Sequence, residues 1–126
     1  MKGRNLKDIL SSAKLDRVEE VEKSGVVYQQ ECRDCDKVYI GETSRRAIDR
    51  KKEHERDVRN FNMRSAISEH CHSNNHRPNF ESFKVLEVEN NWTRRRIKES
   101  LHIMRSKNFN RDCGIGVDKQ WKSFLY

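Results

Sequence analysis

The strongest constraint on this chain is a short run in which two β-type segments bracket a pair of cysteines. Val26-Val27-Tyr28 and Lys37-Val38-Tyr39-Ile40 cluster β-branched and aromatic residues, as strands do. Between them, Cys32-Arg33-Asp34-Cys35 falls in the turn of a hairpin spanning residues 32–36. Each strand carries one tyrosine, and Gly25 and Gly41 bound the unit. Adjacent antiparallel strands bring side chains of one face together, so Tyr28 and Tyr39 are expected to meet. Strand tyrosines standing alone are usually core residues.

The rest of the chain gives helix and strand signals in turn. Gly41 ends the second strand, and Thr43 or Ser44 can cap the helix that follows over residues 45–59. That helix is so charged that only a narrow apolar strip, including Ala47 and Ile48, can face a core. Arg50 and His54 are four apart and share one of its faces. Taken alone, such a pair is most often a solvated face. Residues 60–62 interrupt the pattern, 65–70 read as a short helix, and 72–78 as a polar loop. Residues 83–88 alternate like a half-buried strand. Thr93 then caps a helix whose Ile97, Leu101 and Met104 form one apolar face. Residues 108–116 read as a loop, and Asp118 caps a last short helix with Trp121 and Phe124. Before the hairpin, residues 1–23 form a charged leader or linker. It is partly helical by the spacing of Leu6, Ile9, Leu10 and Ala13, and Val18 and Val21 can continue the pattern. The expected class is α+β, a small three-stranded antiparallel sheet flanked by helices.

Only 33% of the 126 residues are hydrophobic and 37% are charged, against roughly 45–50% apolar in ordinary domains when glycine is counted. A single domain with so small a core gains from a metal staple. No apolar run is long enough to span a bilayer, and Met1-Lys2-Gly3-Arg4 is not followed by a signal-peptide stretch. The expected setting is intracellular, where cysteines serve as thiols or metal ligands rather than disulfides. The spacing of Cys32 and Cys35 lets two sulfurs from one turn reach one ion. Downstream, Glu69-His70-Cys71-His72-Ser73-Asn74-Asn75-His76 supplies imidazoles. With His70 and His76 the set is Cys2His2, a closed tetrahedral Zn²⁺ site of structural type. Cys71 and His72 compete for the same places. A Cys-x-x-Cys can also be a redox motif, but no thioredoxin-like βαβ pattern surrounds this one. Cys113 has no evident partner and reads as a small core residue.

The formal charge is +7, from 27 Lys+Arg against 20 Asp+Glu. The excess is dense over residues 45–59 and at Arg94-Arg95-Arg96. It suits a polyanionic partner bound with counterion release.

The run from Tyr39-Ile40-Gly41 through Ile48, Arg50 and His54 resembles the signature of the GIY-YIG nuclease family. Arg96-Ile97-Lys98-Glu99-Ser100-Leu101 resembles that family's metal-binding glutamate helix, and Asn108-Phe109-Asn110-Arg111-Asp112 its asparagine segment. The resemblance covers residues 25–121. Within the family it is nearest to the endonuclease domain of Penelope-like retroelements, which carry a Cys-x-x-Cys inside the hairpin, an Glu-His…His segment, and an Asn-x-Asn followed by a terminal Trp. Val26-Val27 departs from the single aliphatic usual in the first motif, and Gln30 and Glu31 replace an apolar and proline context.

The resemblance implies a GIY-YIG-like domain over residues 24–126 that hydrolyses DNA phosphodiester bonds with Mg²⁺ or Mn²⁺. Its expected role is nicking for retroelement integration, in the nucleus if the host is a eukaryote. A reverse transcriptase domain or a homodimer is the implied partner beside DNA, and no membrane is. Tyr28 and Tyr39 would activate or position water, Arg50 would hold the scissile phosphate, and His54 would orient a tyrosine or relay a proton. Glu99 would bind the catalytic Mg²⁺, and Asn110, with Asn108 as the alternative, would position substrate or the glutamate. The competing expectation is a catalytically inactive, zinc-stabilised nucleic-acid-binding module. Glu99 separates the two, because a carboxylate beside DNA repels it unless a cation intervenes. A zinc-bearing protein-interaction module would explain the cysteines but not the basic charge.

Overall fold

The computed structural model describes residues 20–110, and within them the two tyrosine strands pair as an antiparallel hairpin. The expected leader helix up to residue 19, Cys113 and the last helix with Trp121 lie outside the described residues. In chain order the elements are β1 (Ser24–Cys32), β2 (Val38–Arg46), α1 (Ala47–Arg59), α2 (Ala66–Asn74), β3 (Pro78–Val88) and α3 (Trp92–Arg105). The strands form one antiparallel sheet in the order β2-β1-β3, so the protein is α+β with β1 at the centre. Among the described residues, no helix is long and apolar enough to cross a membrane.

β2 does not stop at Gly41. Pairing with β1 continues through Val26↔Thr43 and, past a bulge, Ser24↔Arg46. Long-range ladder bonds thus override the local capping signal. Thr43 stays in the strand, its hydroxyl accepting from the Arg45 amide at 3.1 Å. Arg46 takes the N-cap position of α1 without a side-chain cap, and its guanidinium reaches Asp49 in the first turn. The third strand also exceeds expectation, starting at Pro78, which pairs with Cys32. At α3 the cap is Asn91 rather than Thr93, its side chain accepting from the Arg94 amide at 2.9 Å. Asparagine is among the best N-caps, so a better residue two positions earlier takes the role.

Strand alternation divides the core in two. One face of the sheet gathers Val26, Tyr28 and Phe83 against Ala47 of α1, with Val21, Tyr39 and Val85 packed beside them. The other gathers Val27 and Ile40 against Ile103 of α3, with Val38 and Leu86. Val21, placed in the leader by the sequence pattern, is therefore part of this packing. The face of α3 that is buried is not the expected one. Arg95, Ser100 and Ile103 are buried, while Ile97, Leu101 and Met104 are half-buried.

Arg95 explains that rotation. It is 3% exposed, and its Nε donates to a Glu42 carboxylate oxygen at 2.6 Å. A second guanidinium nitrogen reaches the carbonyls of Glu89 and Asn90. A charge this deep must be paired and hydrogen-bonded. Arg95 ties α3 to β2 and is withdrawn from the basic surface that the arginine run suggested.

Candidate functional site

Two centres flank the hairpin. The first lies at its cysteine turn, where one donor atom from each of Cys32, Cys35, His70 and His76 falls within 4.8 Å of every other. Cys32 Sγ is 3.5 Å from His76 Nδ1, Cys35 Sγ is 3.4 Å from His70 Nε2, and the two ring nitrogens are 3.3 Å apart. Ordinary Zn–S and Zn–N bonds in a tetrahedron put sulfur and nitrogen about 3.5–3.6 Å apart and two nitrogens about 3.3–3.4 Å apart. The donors thus already outline a four-coordinate site, and this cluster could hold a metal ion such as zinc.

The surrounding contacts fix the ligands in place. Asp34, between the two cysteines, accepts from the Arg77 amide at 2.7 Å and from its guanidinium. The Arg33 amide donates to the Arg77 carbonyl at 2.8 Å. The knuckle is thereby clamped to the residue after His76. The His70 ring stacks on Phe109 at 3.9 Å and 8°.

The competing candidates are disposed of by α2. His72 sits two positions on from His70 and turns away: its Nε2 lies 2.8 Å from the Val58 carbonyl and its ring stacks on Phe61. Cys71 is buried and is not one of the four residues whose donor atoms cluster.

The second centre is a cleft of about 340 Å³ at the β2 edge. Tyr28, Tyr39, Arg50, His54, Glu99 and Asn110 all line it. The register explains the tyrosines: Tyr28 pairs with Gly41 and Tyr39 with Gln30, so both point to the α1 side. The Tyr28 ring crosses directly over Gly41, where a Cβ would overlap its Cζ and Oη. Phe83 stacks on the other side at 5.0 Å and 27°. Glycine is therefore required at position 41 by the close approach of the ring.

Tyr28 Oη lies 2.7 Å from His54 Nε2. His54 is 2% exposed, and its Nδ1 is buried without a hydrogen-bond partner. An orphaned N–H is rarer than an orphaned lone pair, so the proton belongs on Nε2, which donates to Tyr28. Burial, assisted by the Arg50 charge, pushes His54 down to about 3, and the ring is neutral. Burial and the adjacent Tyr39 hold the Tyr28 phenol well above its ordinary value. Arg50 opposes them through its charge and a hydrogen bond, while Glu99 adds to the rise. The Tyr28 oxygen therefore sits between two nitrogen donors, and its own proton is left for the cleft.

Arg50 also pairs with Glu53 at 3.0 Å. Glu99 is half-buried on α3. Asn110 lines the cleft while its side chain holds the β2 backbone: its amide oxygen receives the Ile40 N–H at 3.0 Å and its NH₂ donates to the Ile40 carbonyl at 2.7 Å. Asn108 donates to the Ile103 carbonyl at 2.7 Å and accepts from the Asn110 amide. Both asparagines hold the segment after α3 along β2, so they position the cleft wall.

Sequence reasoning missed Glu42, Arg64 and Arg96, which also line the cleft. The helical spacing of Arg96 and Glu99 could have indicated the last of these. Comparison with family models, with curated proteins and with solved structures gives no match for this chain.

Proposed function

We propose that the protein is a divalent-metal-dependent endonuclease of GIY-YIG type that cuts DNA, with a structural zinc ion in the Cys2His2 cluster. The observation that carries this reading is convergence. Tyr28, Tyr39, Arg50, His54 and Glu99 come from two strands and two helices, and they line one polar cleft. Each suits a part of phosphodiester hydrolysis. Arg50 offers a planar, permanently charged fork to phosphate oxygens. His54 and Arg50 both favour the ionised form of Tyr28, and burial and Glu99 oppose it. A divalent cation bound at Glu99 would supply Lewis-acid stabilisation of the phosphate and reverse the sign of that carboxylate's field. Tyr28, once its own proton has passed through the cleft to solvent, would be the phenolate that accepts a proton from water positioned by Tyr39. In the likeness to Penelope-like elements, the reaction would be a nick that serves insertion, in the nucleus if the host is a eukaryote, beside a reverse transcriptase domain or as a homodimer.

The test is nicking of supercoiled plasmid in Mg²⁺ by metal-loaded protein. Tyr28→Phe should slow it by about 10²-fold or more. Arg50→Lys should replace the parent poorly, and Glu99→Gln should abolish nicking while DNA binding stays intact or tightens. Losses should not add, because the groups act on one transition state. A parent that binds plasmid without nicking it favours the binding-module reading, and a Glu99→Gln variant as fast as the parent removes Glu99 from the metal role.

A further inference from the structure

The cleft contains an arginine that the hydrolytic reading leaves unused. Arg96 lies on α3 three residues before Glu99 and lines the same cleft as Arg50. Its guanidinium carbon sits 5.6 Å from the centre of the Trp92 ring. Its Nε is buried and has no hydrogen-bond partner among the described residues. Neighbouring arginines are engaged differently: Arg95 is held by Glu42 and Arg50 by Glu53 and Tyr28. Trp92 is 59% exposed, so its ring is not held there by core packing.

A buried N–H without an acceptor is unfavourable, and in a guanidinium the unmet group belongs to a permanent cation. Contact with the indole face keeps the group charged and limits its orientations. On its cleft side the guanidinium is completed by an anion that presents oxygens to a planar fork, as a phosphate does. Of the carboxylates in the cleft, Glu42 is neutralised by Arg95, and Glu99 is the group proposed for the cation. The geometry points to Arg96, propped on Trp92, as the ligand of a second nucleic-acid phosphate, the neighbour along the strand of the one held by Arg50. This rests on the reading of the cleft as a phosphodiester site. It gives the site two phosphate subsites, so the strand is held on both sides of one nucleoside.

A nucleoside 3′,5′-bisphosphate carries both phosphates and has no phosphodiester to cut. Its binding to the full metal-loaded chain in Mg²⁺ is measured by calorimetry, beside the 3′- and 5′-monophosphates of the same nucleoside. The parent should bind the bisphosphate about tenfold more tightly than either monophosphate, the scale of one charge-assisted contact. Arg96→Gln should erase that preference and leave the tighter monophosphate unchanged. Arg96→Lys should retain part of it, and Trp92→Ala should reduce it, with metal content and melting temperature checked for each. A parent without the preference, weak binding of every ligand included, overturns the proposal. So does a folded Arg96→Gln protein that keeps it. Plasmid nicking is read separately: a chain that shows the preference but never nicks has a two-phosphate site without the proposed hydrolysis.

Discussion

Replacing Gly41 with alanine tests whether the tyrosine pair is held by the sheet as described. A Cβ at that position overlaps Tyr28 Cζ and Oη. The ring has little room to retreat, because Phe83 stacks on it at 5.0 Å and His54 is hydrogen-bonded at 2.7 Å. Forcing one methyl into a well-packed core costs about 1–3 kcal/mol. Displacing the hydroxyl leaves the buried His54 N–H unmet, another about 1–3 kcal/mol. Lower entropy of the unfolded chain offsets about 0.4–1 kcal/mol. The expected net loss is about 2–4 kcal/mol, read as a shift in the urea midpoint of metal-loaded protein. The control is a double-mutant cycle: in a Tyr28→Ala background the same Gly41→Ala change should cost less than about 0.5 kcal/mol, because its clash partner is gone. An equal cost in both backgrounds, or no cost in the parent, would refute the argument. Nicking should fall with the single change far more than stability does, since the Tyr28 hydroxyl moves.

Cys35→Ser should release the metal and unfold the chain near its cysteine turn, because binding and folding are coupled, whereas Cys71→Ala should leave one metal per chain. Elemental analysis that finds no zinc in folded parent protein would sink the assignment. Acid sensitivity should carry a signature of His54, whose folded value of about 3 lies below its ordinary 6.5. The unfolded state gains the proton first, so this contribution is whole above pH 6.5 and is lost as pH falls toward 3, on the order of 5 kcal/mol. Denaturation midpoints of the parent and of His54→Phe, compared across that window, should differ in slope; parallel curves would refute it.

Much of the site was legible in local spacing. Two β-branched and aromatic runs around Cys32 and Cys35 can hardly form anything but a hairpin with both sulfurs in its turn. Alternation then sets Tyr28 and Tyr39 on one face, and a four-residue interval sets Arg50 and His54 on one side of a helix. These relations depend only on the repeat of a strand or a helix, which is why a sequence contains them. The rest depended on what meets what across the chain. Which imidazoles face the cysteines is fixed by how α2 packs on α1, where Val58 captures His72 and leaves His70 to Cys35. Gly41 looked like the end of a strand, and pairing with Val26 and Ser24 carried β2 on to Arg46. Arg95 looked like one of three surface arginines until Glu42, more than fifty residues earlier, offered it a buried carboxylate. Asn110 spends its amide on the backbone of Ile40, a partner that only the closed sheet presents. Periodicity belongs to neighbours in the chain; ligand choice, charge burial and the edge of the cleft belong to contacts between distant segments, and those exist only once the sheet and helices have packed.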